Sequence, residues 1–521
     1  MNIKKLLYIL PLTGAIFLSS CNESRVSSNN SSSSIVSSAV SSRVVSSNSI
    51  SSSQKDISID PSYKLPYHQS IKDDEELIYT TFPALSGEGN VVFPLIYSDN
   101  YFNVSSFTPS KRLAQVSIGM ALASFNSKEE DDNLKPVNIK DFFNELNLED
   151  VQINNDYCIK PNKDTIGLAI GHKYLEESDS YLVTLAIRSG FYRGEWASNF
   201  YLGEEGEHAG FSQARDKAYS FLKDYVTSLN TDKKIKLWVA GYSRGGATTN
   251  LLGRYLDDAI DSGTVGINLA KEDLFAYSFE APLCGIEDYK KDYKNIFVYS
   301  NPNDFVTSVP PANYGFLNYG TIIDTSAYYK DKRETLANTL YQINPNFAFK
   351  EYTPVGQFDT GYKLFKTLFD VITKQAKSSD NVSLQNRAEY ISSGLQSSLM
   401  DITAFVLASD NFKKIEDYIN NDFYAFIQAL GKIGGVLLSY DTKENKIAQL
   451  CAILDETFTD MGLEFDQTRL QEIVSNGWDV IVFIFNGIYQ TENMLNALLT
   501  NFSYISFSHS GETNLAIMLL E

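Results

Sequence analysis

The chain has 521 residues, of which 43% are hydrophobic, and it carries a formal net charge of −20. This length and composition are sufficient for a large core and for more than one subdomain. The acidic balance argues against nucleic acid as a partner, and four histidines are too few for the usual multi-histidine metal site. We therefore expect neither a cofactor nor a bound metal, and the composition indicates no oligomeric state.

The N-terminus has the pattern of a targeting segment. Lys4 and Lys5 precede a short apolar run at residues 6–18, which is too short to span a membrane. Residues 18–21 (Leu-Ser-Ser-Cys) resemble the lipobox of bacterial lipoproteins. We expect residues 1–20 to be a lipoprotein signal peptide and Cys21 to carry a lipid that anchors the protein to the cell membrane, on its extracellular or periplasmic face. The alternative is an ordinary secretory signal with a chance cysteine.

Residues 21–55 are rich in serine and asparagine. Such a segment cannot bury enough apolar surface to fold, so we predict a disordered tether. A flexible tether of about 35 residues would span roughly 30–35 Å between the membrane and the folded part.

The remaining cysteines give no sign of a metal site. Cys158, Cys284 and Cys451 are odd in number, and their spacing matches no metal-binding pattern. We expect unpaired buried thiols, although one disulfide remains open.

Strands and helices alternate in the first folded segment, residues 56–325. The periodicity predicts helices at residues 110–126, 139–146 and 209–229, and strands at residues 165–174, 180–188, 235–240, 274–279 and 296–299. This alternation predicts an α/β fold with a mostly parallel central sheet. The prolines at 61, 66 and 83 predict an irregular entry into this core.

Helical periodicity dominates residues 326–500. One apolar stripe at helical spacing within this segment comprises Tyr362, Phe365, Leu368, Phe369 and Ile372, and such a stripe is more often core than ligand groove. A helical block within an α/β enzyme predicts a cap or lid over the site. Residues 501–521 are then predicted to return to the core.

Residues 241–245 (Gly-Tyr-Ser-Arg-Gly) fit the nucleophile-elbow pattern G-x-S-x-G. The pattern lies between a predicted strand and a predicted helix, which is the setting that the elbow requires. Gly241 and Gly245 lack the Cβ atoms that would collide in so sharp a turn. We therefore predict that Ser243 is a nucleophile, against the alternative of an ordinary glycine-rich turn.

A serine nucleophile needs a base and an orienting carboxylate, which follow it in the order acid, then histidine, in α/β hydrolases. His509 is the one histidine after Ser243, so it is the predicted base. Asp304 is the predicted acid, because it lies in the loop at the carboxyl end of a strand, where open α/β sheets build their sites. Asp324 and Asp292 are weaker alternatives, and an Asx-turn is the structural alternative for Asp304.

The tetrahedral intermediate of acyl transfer needs N–H donors for its oxyanion. The backbone N–H of Arg244, directly after the nucleophile, is one candidate. The second donor is expected after the strand at residues 180–188, at Ser189 or Gly190, and we favour Ser189.

Six features in order resemble the class 3, or fungal-type, lipase family, and in particular a branch of bacterial lipase-like proteins. The resemblance covers roughly residues 110–325 and 500–521. The matching features are residues 187–190 (Ile-Arg-Ser-Gly, for F-R-G-T) with Trp196 and Asn199, residues 208–211 (His-Ala-Gly-Phe, for H-x-G-F), the elbow, residues 279–282 (Phe-Glu-Ala-Pro, for F-G-A-P) with Gly285, Asp304 before Pro310 and Pro311, and His509. The family usually has glycine where this chain has Ser189.

The resemblance implies an α/β-hydrolase fold and hydrolysis of lipid or other acyl esters without metal or cofactor. It also implies a structural role for His208 near the oxyanion loop. Two alternatives stay open: a serine peptidase or polysaccharide deacetylase on the same scaffold, and a non-catalytic surface lipoprotein that binds lipid or glycan.

Overall fold

The computed structural model describes residues 59–60, 62–65, 67, 71–85, 89–125, 136–157, 166–189, 199, 201–203, 205–327, 332–378, 414, 418 and 423–520. The predicted signal peptide, the tether, Cys21, Cys158 and Gly190 lie outside these residues. Within the described part of the chain, no helix combines the length and apolar character needed to cross a membrane.

A seven-stranded sheet forms the centre of the protein. The strands in chain order are β1 (Glu76–Pro83), β2 (Asn90–Tyr97), β3 (Glu149–Ile153), β4 (Leu168–Leu175), β5 (Ser180–Ile187), β6 (Lys234–Tyr242), β7 (Leu269–Phe279), β8 (Gly285–Ile286), β9 (Ile296–Ser300), β10 (Phe316–Leu317) and β11 (Thr321–Asp324). The central sheet has the order β11-β9-β7-β6-β5-β4-β3. The five strands β5, β6, β7, β9 and β11 are parallel to one another. At the other end of the sheet, β4 is antiparallel to β5 and β3 is antiparallel to β4.

Helices cover both faces of this sheet. The helices are α1 (Lys111–Ala123), α2 (Val137–Glu145), α3 (Ala209–Ser228), α4 (Arg244–Asp261), α5 (Arg333–Ile343), α6 (Gly361–Ser378), α7 (Phe423–Leu438), α8 (Lys443–Asp460), α9 (Gln467–Gln490), α10 (Met494–Thr500), α11 (Phe502–Ser508) and α12 (Gly511–Leu520). With a nucleophile-elbow sequence joining β6 to α4, this is the α/β-hydrolase fold that the sequence predicts.

The buried strands contribute side chains to two separate cores, one on each face of the sheet, because successive side chains of a strand point to opposite faces. Val183 and Leu185 pack on one face with α3 and α4. Leu182 and Ala186 pack on the other face with α1 and α12. A strand that is apolar on both faces therefore lies inside a three-layer structure.

The described residues before Glu76 form no strand or α-helix, as the prolines at 61 and 66 predict, whereas Pro83 ends a regular strand that the sequence did not predict. Residues from Glu76 onward form the antiparallel hairpin of β1 and β2, in which Tyr79 is opposite Pro94. A two-stranded ribbon has free edges, and a proline there forfeits no ladder hydrogen bond. The inner side chains Ile78, Phe93 and Leu95 are buried in the same core as α1.

The helical segment has an apolar core of its own, built mainly from α6 to α10. The predicted stripe on α6 is correct in part. Phe365 and Leu368 are buried with Leu364, but Tyr362 is 50% exposed. Ile372 carries no described side chain. The buried stripe of α6 thus includes Leu364 in place of Tyr362, because the face that carries Leu364 packs against α9 and α10.

Trp238 at the middle of β6 connects the sheet to α1. Its ring is fully buried between Tyr97 and Phe102, and its Nε1 donates a 2.8 Å hydrogen bond to Ser117 Oγ on α1. We expect Trp238→Ala to lower the free energy of unfolding by about 3–5 kcal/mol, because it removes a large buried ring and leaves a cavity. Urea unfolding followed by circular dichroism measures the change.

Val92 on β2 is the matched control, since its side chain is 59% exposed. Val92→Ala should change the free energy of unfolding by no more than about 0.5 kcal/mol. Equal effects of the two substitutions would contradict the packing described here.

Candidate active site

Ser243 occupies a sharp turn between β6 and α4. It is the N-cap residue of α4, with φ 54° and ψ −120°, a conformation that L-residues rarely adopt. Its backbone N–H donates a 2.8 Å hydrogen bond to Phe279 O at the end of β7, and its carbonyl accepts from Ala247 N at 3.0 Å. The neighbouring strand and the helix thus hold the turn from both sides, and the half-buried Ser243 side chain lies at the carboxyl edge of the sheet.

Two glycines make this turn sterically possible. A Cβ atom on Gly241 would lie 2.3 Å from Gly245 O, and one on Gly245 would lie 2.4 Å from Ile187 O at the end of β5. Both distances are far below van der Waals contact, and the atoms met belong to the backbone. Any larger residue would therefore push α4 away from β5 and β6.

His509 lies in the turn between α11 and α12. Its Nε2 is 3.0 Å from Ser243 Oγ, and its Nδ1 makes a short hydrogen bond with Asp304 Oδ2. The side chains of His509 and Asp304 are both buried. Because Nδ1 faces a carboxylate, the proton belongs on Nδ1, which leaves Nε2 as the acceptor for the Ser243 hydroxyl proton.

Asp304 lies in the loop that follows β9. One carboxylate oxygen, Oδ1, accepts from Val306 N at 2.9 Å, while the other faces His509. The Asx-turn considered as the structural alternative is therefore present, and it orients the same carboxylate toward the imidazole.

Neither alternative acid is placed beside His509. Asp324 at the end of β11 is exposed, and its Oδ1 accepts from Ser326 N. The side chain of Asp292 is 80% exposed, and its carboxylate lies 3.7 Å from Lys294 Nζ.

Of the predicted oxyanion donors, Arg244 and Ser189 lie in the described part of the chain and Gly190 does not. Arg244 is the first residue of α4, and Ser189 is buried just beyond β5. The chain at residues 187 and 188 approaches Gly245, whose Cβ position is 3.0 Å from Arg188 O. Helix N-termini attract negative charge, so this end of α4 suits an oxyanion.

Asn199 connects two residues near this helix end. Its side-chain oxygen accepts from Arg244 Nη1 at 3.0 Å, and its backbone carbonyl accepts from His208 Nε2 at 3.1 Å. His208 is buried, and its ring stacks on Phe211 with centroids 4.0 Å apart. The His208 ring thus packs beside α3. None of its described hydrogen bonds involves Ser243 or Asp304.

Two polar residues that the sequence did not single out hold the turn of His509. The hydroxyl of Tyr242 donates to His509 O at 3.1 Å and accepts from Asn514 Nδ2 at 2.7 Å. Asn514 Nδ2 also contacts the Ser508 and Ser510 carbonyls at 3.0 and 3.1 Å. The one sequence signal was Asn514 itself, a polar residue within an apolar C-terminal helix.

Glu280 is a second buried carboxyl next to this site. Burial and the neighbouring charge of Asp304 raise the pKa of Glu280 well above its usual value. Burial also raises the pKa of the Tyr242 hydroxyl well above its usual value, so this group stays protonated.

The structure offers little support for other chemistry in its described residues. The Cys284 thiol is fully buried, and burial raises its pKa well above the usual value, which makes it a poor nucleophile. Three carboxylates at the end of α4 have metal-ligand spacing, but Lys291 Nζ already lies 2.6–2.9 Å from all of them: Asp257, Asp258 and Asp261. This cluster is about 20 Å along the helix from Ser243.

The arrangement can perform nucleophilic acyl transfer. It has a hydroxyl on a constrained turn, an imidazole in hydrogen-bonding contact with that hydroxyl, and a buried carboxylate on the far side of the imidazole. These are the parts that activate a serine against an ester or amide carbonyl.

The chain is similar to known lipases over part of its length. Residues 190–314 match a family model described as lipase (class 3), a region that includes Ser243 and Asp304 but not His509. A search of curated protein sequences found no match.

The solved structures that match include several fungal lipases. The Rhizomucor miehei lipase propeptide complex has 16% identity and a TM-score of 0.27, over 41% of this chain and 66% of that one. Lipase from Rhizopus microsporus var. chinensis has 17% identity and a TM-score of 0.25, over 36% and 64% of the two chains. Lipase II from Rhizopus niveus has 17% identity and a TM-score of 0.23, over 34% and 67%. The chain thus spans less than two thirds of the first two of these lipases.

The close approach at the elbow can be tested without assuming a function. We expect Gly245→Ala to lower the free energy of unfolding by about 1–3 kcal/mol, because the new methyl group overlaps Ile187 O. Thermal or urea unfolding measures the change.

Gly435 on α7 is the matched control, because a Cβ atom there meets nothing within 4 Å. Gly435→Ala should leave stability unchanged or raise it by about 0.5–1 kcal/mol, since alanine favours a helix. A Gly245→Ala protein with the same free energy of unfolding as the wild type would show that the turn tolerates a side chain and would contradict the described contact.

Proposed function

We propose that this protein is a serine ester hydrolase of the lipase type, which cleaves acyl esters through an acyl-enzyme intermediate. The observation that carries the proposal is the hydrogen-bonded chain from Ser243 Oγ through His509 to Asp304. The match of residues 190–314 to the class 3 lipase model supports the same reaction class.

The proposed reaction begins when Ser243 Oγ attacks the ester carbonyl carbon and its proton moves to His509 Nε2. Asp304 stabilises the imidazolium that forms and keeps the ring oriented. The tetrahedral intermediate then collapses, and His509 gives the proton to the departing alkoxide. Water, deprotonated by His509, attacks the acyl-enzyme and releases the carboxylic acid and free Ser243.

The oxyanion of the intermediate would be stabilised by the backbone N–H groups of Arg244 and of Ser189 or Gly190. The positive end of α4 supports this assignment, since Arg244 is its first residue. Removing one such donor typically costs about 10²–10³ in kcat.

A lipid or other acyl ester is the substrate class that we favour. Phe305 follows the proposed acid directly, and its ring contacts Phe365 and Phe369 of α6, with centroids 5.3 and 5.5 Å apart. The helical segment thus brings apolar side chains close to the site, which suits an acyl chain better than a charged peptide.

We also propose that the protein acts while anchored to the cell membrane through lipidated Cys21. The support is the order of lysines, short apolar run, cysteine and serine-rich segment in the first 55 residues. A flexible tether would let the enzyme sample esters near the membrane surface.

The catalytic proposal predicts that an active-site-directed fluorophosphonate labels Ser243. We expect Ser243→Ala to abolish labelling and to lower kcat for p-nitrophenyl butyrate by about 10⁴-fold or more. His509→Ala should act similarly, and Asp304→Asn should lower kcat by about 10³–10⁴-fold, because it no longer stabilises the imidazolium. Gel fluorescence and spectrophotometric turnover measure both effects on the same samples.

Asp324→Asn is the matched control, because Asp324 was a candidate acid but is exposed and is not among the described partners of His509. It should keep wild-type turnover. Full esterase activity in Ser243→Ala would rule out the proposed nucleophile. A folded wild-type protein that is neither labelled nor active on acyl esters, phospholipids, acetylated glycans and peptides would favour a binding protein instead.

The anchoring proposal predicts that Cys21 is required for lipid attachment. In cells fed a clickable palmitate analogue, the wild-type protein should incorporate the label and sediment with membranes. Cys21→Ser should do neither. Equal labelling of both proteins would exclude Cys21 as the attachment site.

A further inference from the structure

Glu280 is a buried glutamate in an unfavourable backbone conformation. It directly follows β7, its side chain is 2% exposed, and its φ is 46°. Glycine adopts this conformation without steric cost, whereas a residue with a Cβ does not. A glutamate at such a position indicates that its side chain contributes an interaction that glycine cannot make.

The contacts of Glu280 lead to the loop of the proposed acid. Its backbone N–H donates to Tyr299 O at 2.9 Å, and its Oε2 accepts from Asn301 N at 3.0 Å. Asn301 lies three residues before Asp304, so the Glu280 carboxyl lies at the same loop, and its interaction with the Asp304 carboxylate helps to raise the pKa of Glu280. Glu280 therefore ties the end of β7 to the end of β9 and contacts the carboxylate that faces His509.

Two adjacent carboxyls cannot both be ionised in this environment. Among the described residues, no lysine or arginine forms an ion pair with Glu280 or Asp304, and the carboxylate of Asp324 adds a further negative charge that acts on Glu280. The Tyr242 hydroxyl of β6, which interacts with both carboxyls, adds no positive charge. A shared proton is the usual outcome for such a pair.

The proton belongs to Glu280. Asp304 already accepts hydrogen bonds from Val306 N and faces the proton on His509 Nδ1, so its ionised form is well solvated by donors. Glu280 has a backbone donor at Oε2 only, and burial raises its pKa. The protonated carboxyl is then free to donate to Asp304.

We propose that Glu280 is a positioning residue that donates a hydrogen bond from its neutral carboxyl to Asp304 and so fixes the carboxylate toward His509. The inference rests on the proposed hydrolase function, because it assigns Glu280 a role in the same site. It makes the site a chain of four side chains: Ser243, His509, Asp304 and Glu280.

Three substitutions separate the hydrogen bond from the backbone effect. Glu280→Gln keeps a donor for Asp304 and an acceptor for Asn301 N, so it should retain most of the wild-type kcat. Glu280→Gly removes the carboxyl while it relieves the positive φ, and we expect kcat to fall about 10- to 100-fold with KM unchanged. Glu280→Ala should lose a similar factor in kcat and keep the backbone strain. Thermal unfolding reports whether each variant is folded.

A double-mutant cycle with Asp304→Asn tests whether the effect passes through Asp304. In that background Glu280→Gly should cause little further loss of kcat, because the charge it positions is already absent. Fully additive losses would show that Glu280 acts elsewhere and would overturn the proposal.

Infrared spectroscopy tests the protonation state without relying on turnover. The spectrum of wild type minus that of Glu280→Gln at neutral pH should contain the carbonyl stretch of a carboxylic acid, and the same difference should persist in the Ser243→Ala background. A carboxylate band instead, full activity of Glu280→Gly, or equal loss in Glu280→Gln and Glu280→Gly would overturn the assignment.

Failure of the hydrolase proposal and failure of the proposed role of Glu280 give different results. A wild-type protein that is neither labelled nor active contradicts the hydrolase proposal, and with it the catalytic role of Glu280. An active wild type with a fully active Glu280→Gly variant contradicts the role of Glu280 alone.

Discussion

The site depends on how closely the first turn of α4 approaches β5 and β6. The Cβ position of Gly245 lies 2.4 Å from Ile187 O, so the helix can begin there only if that residue has no side chain. This approach lets Ser243 adopt φ 54° and bond to Phe279 O on the next strand. The cost of the strained turn is of the order of 1–3 kcal/mol, and the buried layers on both sides of the sheet are large enough to sustain it.

The second constraint joins segments that are about 200 positions apart in sequence. Residues 301–307, which carry the proposed acid Asp304, form a loop that we call the acid loop. Asn301 closes it, since its carbonyl accepts from Asp304 N at 2.9 Å and from Thr307 Oγ1 at 3.0 Å. The loop then meets the turn of His509 through Ser508 Oγ, which donates to Asn303 O at 3.1 Å. The distance between imidazole and carboxylate is therefore fixed by backbone contacts as well as by the pair itself.

Much of this arrangement could be predicted from local patterns. The five predicted strands have counterparts in β4, β5, β6, β7 and β9, because strands buried on both faces are nearly continuous apolar runs, and chain order alone selected His509. The β1–β2 hairpin was missed because Pro83 suggested an irregular segment, although residues 77–83 alternate between buried and more exposed positions. Glu280, Tyr242 and Asn514 were missed for another reason. Their roles arise from contacts between segments that are distant in sequence. Local periodicity does not show whether a polar residue is buried and hydrogen-bonded or exposed to solvent.

The acid loop also lies between the sheet and the helical segment. On one side Glu280 bonds to Asn301, and on the other Tyr362 N at the start of α6 lies 3.4 Å from Asn303 Oδ1. Phe305 continues that contact into the apolar core of the helical segment. Asp304 lies between these two contacts. A shift of α6 would therefore move its carboxylate unless the contacts on the sheet side hold it in place. The hydrogen bonds of Glu280 and Asn301 are those contacts. The buried carboxyl of Glu280 thus helps to hold the acid loop in place where the helical segment packs directly against it.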